Sequence, residues 1–135
     1  MAKLFSYQSK EKLKSRKLMD QLFTVGKSVS VFPLKAFYNE VDIDLDFPVK
    51  LGVGVSSRNF KKAVDRNRIK RLLRETYRLN KQPLLEFASS KNKKIIVFIL
   101  FVEKTLPQLE VLQNKLPLLI DKLINQLNEI TAANT

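Results

Sequence analysis

The sequence predicts a single domain of the α+β class, and three observations lead there. A chain of 135 residues with 44% apolar content can bury a core without disulfides or metals and is short for two domains. No internal repeat, low-complexity tract or Gly/Ser/Pro linker divides it. Segments of helical periodicity alternate with β-branched and aromatic runs, so both element types must share one core.

In chain order, the basic start (residues 1–14) reads as an arm. The first helix begins after Ser15, whose hydroxyl can cap exposed amides, and runs through RKLMDQLFTV to Gly26, with Leu18, Met19, Leu22, Phe23 and Val25 as its apolar face. SVSVFPLKAFYNEV suits β-structure, but Pro33 interrupts it, which predicts an edge segment followed by a strand over 34–41. The acidic stretch to Pro48 is the connecting loop. A strand over 49–56 is expected to return beside the previous one as a hairpin. The second helix spans 61–80 and is ended by Pro83. Lys94 to Val102 is apolar nearly throughout, as a central strand covered on both faces should be. A helical region closes the chain over 107–130. Thr105 is placed to cap it and Pro107 falls in its first turn, whereas Pro117 is expected to kink or split it at a cost of about 3 kcal/mol.

The chain has no Cys and no His. That removes disulfides, thiolate or imidazole metal sites, His-activated nucleophiles and the commonest acid/base group near neutral pH. Its charged start lacks the apolar stretch of a secretory signal, so a cytoplasmic location is expected. The longest apolar run, Ile95 to Val102, is far short of the roughly 20 residues that span a bilayer, and no membrane partner is expected.

The net charge of +12 is concentrated. Residues 1–17 carry +5 and residues 58–78 carry +7, so the remainder is neutral. Two basic blocks on an otherwise balanced chain are the footprint of a polyanion-binding surface. At about 100° per residue, Ile69, Leu72, Leu73, Thr76, Tyr77 and Leu79 form one arc of the second helix, which faces the core. Opposite lie Asn67, Lys70, Arg71, Arg74 and Arg78, with Arg66 and Arg68 on the borders. Arginine outnumbers lysine five to one from Arg66 to Arg78. A planar guanidinium grips phosphate oxygens bidentately and stacks on bases, and Asn67 can both donate and accept toward a 2′-hydroxyl or base edge. Only Asp65 and Glu75 are present to neutralise the ridge.

The run Ala63-Val64-Asp65-Arg66-Asn67-Arg68-Ile69-Lys70-Arg71-Leu72-Leu73-Arg74 resembles the signature of the protein subunit of bacterial ribonuclease P, in which an Arg-Asn-Arg core opens a basic helix. The Gly52-to-Ser56 strand before it, the basic start, Leu13, Phe23 and Gly26 agree with that family, and the similarity spans nearly the whole chain. The resemblance implies a two-layer α/β sandwich with a four-stranded sheet, three to four helices and a left-handed βαβ crossover in a ribosomal-protein-like domain; pattern rules alone give a right-handed one. It implies that Lys62, Arg66, Asn67, Arg68, Lys70, Arg71 and Arg74, with Arg58 nearby, meet the catalytic RNA subunit. Ser57 and Arg58 stand where the family usually has two basic residues, in a stretch one residue longer. It also implies that the leader of precursor tRNA lies in a cleft between the first helix and the sheet. Met19, Phe23 and Tyr38 are its candidate contacts, with core packing the alternative for all three; Tyr38 is preferred as a flat face for unstacked bases. The resemblance assigns hydrolysis to the RNA and its magnesium. The chain itself is expected to supply no catalytic residue, bind no metal or other cofactor and take no DNA.

Two other signals carry less. Asp42, Asp44 and Asp46 alternate like calcium ligands, but Phe47 and Val53 stand where such a loop needs Gly and Glu. Gly52-Val53-Gly54 lacks the residues that complete a phosphate or dinucleotide loop and reads as a strand that something approaches closely. The competing functions are a DNA-binding regulator, which would want a helix-turn-helix pair and a dimer interface, a structural ribosomal-type RNA-binding protein, and an independent protein enzyme, for which no convergent catalytic set is present.

Overall fold

The first helix starts and stops by local chemistry. In the computed structural model, which describes residues 12–41 and 47–133, α1 covers Arg16–Val25, and the Ser15 hydroxyl accepts a hydrogen bond from the Leu18 N–H at 3.3 Å. Gly26 ends it, donating its N–H to the Leu22 carbonyl at 3.0 Å. Its φ of −71° is open to any residue, so what demands glycine is space: a Cβ there would lie 2.3 Å from the Leu22 oxygen.

The interrupted segment becomes two strands, β1 (Lys27–Val31) and β2 (Leu34–Val41). They pair antiparallel from Val31↔Leu34 to Lys27↔Tyr38 across a two-residue turn, Phe32-Pro33, with a cis peptide bond. Proline, which has no N–H to give a ladder, is placed in the turn, and the Val102 N–H fastens the Pro33 carbonyl at 3.0 Å.

β3 (Val49–Val55) does not return beside β2, contrary to the expected hairpin. The sheet order is β1-β2-β4-β3, with β4 (Lys94–Phe101) antiparallel to β2 and parallel to β3. The reason lies in the side chains of β4. Ile95, Val97, Ile99 and Phe101 sit in one core, while Ile96, with Phe98 packed beside it, sits in the other. A strand apolar on both faces belongs in the middle of a sheet. β3, whose Gly52 and Gly54 leave one face bare of side chains, takes the edge.

The crossover between the parallel strands carries α2 (Ala63–Asn80) and then a shorter helix, α3 (Gln82–Ser90). Pro83 therefore does not simply terminate α2. It lies in the first turn of α3, where its missing N–H costs nothing. At the end of α3, Asn92 adopts a left-handed conformation (φ 53°), for which Asn is among the better-suited residues, and the Lys93 N–H closes onto the Ala88 carbonyl at 2.8 Å. Along α2, Ile69, Leu73, Thr76 and Tyr77 are buried, but Leu79 is 50% exposed, because it lies at the margin of the apolar arc in the last turn.

α4 (Leu109–Ala133) runs through Pro117 without splitting. Leu112, Leu116, Leu119, Ile120, Leu123 and Leu127 of this helix are all buried. At about 1.5–3 kcal/mol for each buried side chain, their packing outweighs the roughly 3 kcal/mol proline penalty. α2, α3 and α4 thus share the larger core on one face of the sheet, and α1 with Leu13 covers part of the other. Residues 1–11 of the basic arm, and Asp42, Asp44 and Asp46 of the acidic loop, lie outside the described residues.

Phe98 lies across the two glycines of β3: a Cβ on Gly54 would come within 2.6 Å of its ring, and one on Gly52 within 2.8 Å. Gly54→Val should therefore displace the ring and destabilise the fold by about 1–3 kcal/mol, read as a lower midpoint in urea unfolding. An unchanged midpoint would refute the close approach of ring and strand.

Candidate nucleic-acid interface

α2 is anchored by its apolar arc, which leaves the opposite face to solvent. Val64, Asn67, Arg68, Arg71 and Arg74 line one shallow groove there, and the three arginines are exposed. Val64, 77% exposed, forms an apolar spot amid the guanidinium groups, a neighbour that the charge pattern of the sequence does not single out. Glu75 does not neutralise this groove because Arg78, four residues beyond Arg74, takes it in a bidentate ion pair. Hydrogen bonding to Arg78 holds the Glu75 carboxyl below its usual range and raises the guanidinium in turn. Arg78 is thus the paired member of the ridge.

Arg66 serves the protein's own backbone. One guanidinium nitrogen, Nη1, donates to the carbonyls of Phe60 and Lys61, each at 2.8 Å. Lys62 occupies the N-cap without a side-chain capping bond, so Arg66 ties down the incoming loop that a Ser or Asp cap would otherwise fix. Lys62 and Arg58 are exposed; Lys70 is partly buried on the flank, outside the groove lining. The Arg58 N–H is held by the Ser56 hydroxyl at 3.2 Å.

The opposite face of the sheet carries a different chemistry. Phe23 of α1 meets Phe37 of β2 and Phe98 of β4 edge-on, with ring centroids 5.1 and 5.0 Å apart. Phe23 remains 48% exposed, and the Lys35 ammonium lies 5.0 Å over the Phe37 ring. Met19 packs into the same cluster. Tyr38 does not belong to it. It is 2% exposed, in the core beneath α4, where burial, and then the charge of Glu129, push its phenol up. Successive strand residues face opposite sides, so the aromatic that β2 offers to the α1 side is Phe37. The same alternation within β4 selects Phe98. Both were legible only once the face of each strand was known.

Among the described residues no cluster of Asp and Glu could hold a metal ion. What this chain offers is an exposed guanidinium ridge and a half-exposed aromatic cluster, chemistries that suit phosphates and bases, carried on an α+β domain. That combination defines an RNA-binding protein.

Residues 7–123 match the Ribonuclease P family. The chain is 33% identical over 136 residues to the Ribonuclease P protein component of Chlorobium phaeobacteroides, spanning 93% of this chain and 92% of that one. It is 32% identical over 103 residues to the same component of Porphyromonas gingivalis, covering 76% and 75%. In fold it is similar to the RNase P proteins of Staphylococcus aureus (TM-score 0.63, 21% identity, 82% of this chain and 93% of that one) and Thermotoga maritima (0.61, 24%, 82% and 96%). This chain belongs to the Ribonuclease P family, as the protein component of the endoribonuclease that processes the 5′ end of tRNA. It associates with the RNA subunit of that ribonucleoprotein, and the regulator, ribosomal and independent-enzyme readings are set aside.

Two outcomes follow from the ridge. Arg66→Ala should cost about 1.5–3 kcal/mol, the range for hydrogen bonds to a charged group, whereas Arg71→Ala should stay within about 0.5 kcal/mol of the parent; thermal melts of both compare them. With about five exposed cations (Lys61, Lys62, Arg68, Arg71 and Arg74) engaging phosphates, the log–log salt slope for binding the RNA subunit should approach roughly −4.

Proposed function

We propose that the α2 ridge docks this chain onto the catalytic RNA while the Phe23–Phe37–Phe98 face receives the single-stranded leader of precursor tRNA, in the cytoplasm. The observation that carries this reading is the separation of two chemistries. Arginines carried on a packed helix suit the fixed backbone of a folded RNA, whereas a half-exposed aromatic cluster with a lysine over one ring suits unpaired bases. Arg68, Arg71, Arg74 and Asn67 are the ridge contacts, with Lys62, Lys70 and Arg58 beside them. Arg66 acts chiefly by holding the start of α2 in place. Met19 forms part of the wall of the leader site. Hydrolysis is assigned to the RNA and its magnesium, since this chain brings neither His nor Cys to the task.

Reconstitution with the cognate catalytic RNA and a precursor tRNA tests the whole scheme. RNA-free protein should be inactive, and cleavage should need both the RNA and magnesium; robust cleavage by the protein alone would defeat the assignment. Within the assembled enzyme, Phe23→Ala should weaken binding of a leader-bearing precursor by about 1–3 kcal/mol and leave leaderless mature tRNA nearly unaffected. Tyr38→Phe should change neither affinity, because that ring is enclosed beneath α4. Equal losses for both RNAs would assign Phe23 to packing or assembly.

A further inference from the structure

The two proposed surfaces lie on opposite faces of the sheet, and β3 is the edge strand that separates them. Because α2 packs against β3, this is the edge next to the ridge, and it offers an RNA strand a direct passage from one surface to the other. The edge is not bare: Lys12 runs parallel to it opposite Leu51, and the Leu13 N–H donates to the Leu51 carbonyl at 2.9 Å. Beside this crossing lies a second groove, walled by Lys12 and Lys14 of the arm, Met19 of α1, Gly52 of β3 and Phe98 of β4, with Arg74 completing it. Arg74 is also the residue at one side of the ridge groove with Asn67, Arg68 and Arg71. It is the one side chain common to both.

We infer that Arg74 contacts the single-stranded leader as it passes over the β3 edge between the catalytic RNA and the aromatic face, so that it reads substrate as well as docking RNA. This rests on the leader reading above. Four features favour it. Arg74 is exposed and makes no ion pair with a described residue, Glu75 being taken by Arg78. Its guanidinium can hold a phosphate by one edge and stack a base on its face, which suits a point where a charged backbone enters a stacking site. The groove floor is aromatic because Gly52 has no side chain: the Phe98 ring occupies that space, where a Cβ would strike it at 2.8 Å. Lys12 and Lys14 add positive charge on the far wall, so the crossing is lined by cations from two elements distant in sequence.

The test uses the reconstituted holoenzyme at RNA and protein concentrations that saturate assembly. For R74A, affinity for a leader-bearing precursor should fall about tenfold, the loss of one charge-assisted contact, while affinity for leaderless mature tRNA changes less than about twofold. R71A, from the ridge alone, should weaken assembly instead and, once assembled, preserve the ratio of the two affinities. R74K should recover only part of the loss. Because the chain has no native Cys, R74C carries a unique thiol for an aryl-azide crosslinker, which should label the leader as well as the catalytic RNA. An R74A holoenzyme with an unchanged ratio, or crosslinks confined to the catalytic RNA, would overturn the inference while leaving the leader site standing. If the parent holoenzyme itself does not prefer the leader-bearing RNA, the reading of the aromatic face falls, and this inference falls with it.

Discussion

β4 is apolar on both faces, and the arrangement of the rest of the molecule follows from satisfying both at once. Its odd-numbered residues require the cover that α2, α3 and α4 supply, and its even-numbered residues require α1 and the arm. Both are met most fully in the middle of a sheet. Placing β4 between β2 and β3 makes β3 and β4 parallel neighbours, and a parallel pair cannot be joined by a tight turn. The long connection is where α2 resides. The central strand thereby determines that the arginine-bearing helix lies on the outside of a crossover, packed by one face and free on the other.

The same strand organises the aromatic face. Phe98 can lie flat over β3 because Gly52 and Gly54 have no Cβ to meet it, and with the ring in that position Phe23 and Phe37 close onto it edge-to-face, the arrangement aromatic quadrupoles favour. A cluster built this way leaves Phe23 half exposed without loosening the core, since Leu22 and Ile96 beside it are fully buried. Exposure and packing are therefore divided between adjacent residues of one helix, Phe23 and Leu22.

Charge is divided in a similar manner within α2. An arginine-rich helix carries mutual repulsion that would oppose compact folding. Here Arg66 is directed to backbone carbonyls and Arg78 to Glu75, which leaves Arg68, Arg71 and Arg74 facing solvent. Those that remain unpaired are the ones grouped along a single groove. A motif whose members look equivalent in sequence thus contains one residue that positions the helix, one that is neutralised and three that are available to a polyanion.

The elements whose instructions are local were legible in the sequence: the Ser15 cap, the Gly26 stop, the position of Pro33 between two strands, and the apolar arc that turns Arg68, Arg71 and Arg74 outward. Each depends on neighbours within one helical turn or one strand, so periodicity and residue chemistry suffice. The family resemblance was legible on the same terms, since its most specific part is one contiguous run from Ala63 to Arg74, with the Gly52-to-Ser56 strand, the basic start, Leu13, Phe23 and Gly26 agreeing around it. What only the tertiary structure decided was anything that depends on partners distant in the chain. The pairing of β3 with β4 instead of β2, the separate helix that has Pro83 in its first turn, the passage of α4 through Pro117 and the enclosure of Tyr38 in place of Phe37 all follow from which surfaces meet. A strand's two faces are equivalent until something packs on one of them. Tyr38 and Phe37 differ by one position, and the helices above and below the sheet determine which is enclosed in the larger core and which joins the aromatic cluster beside α1.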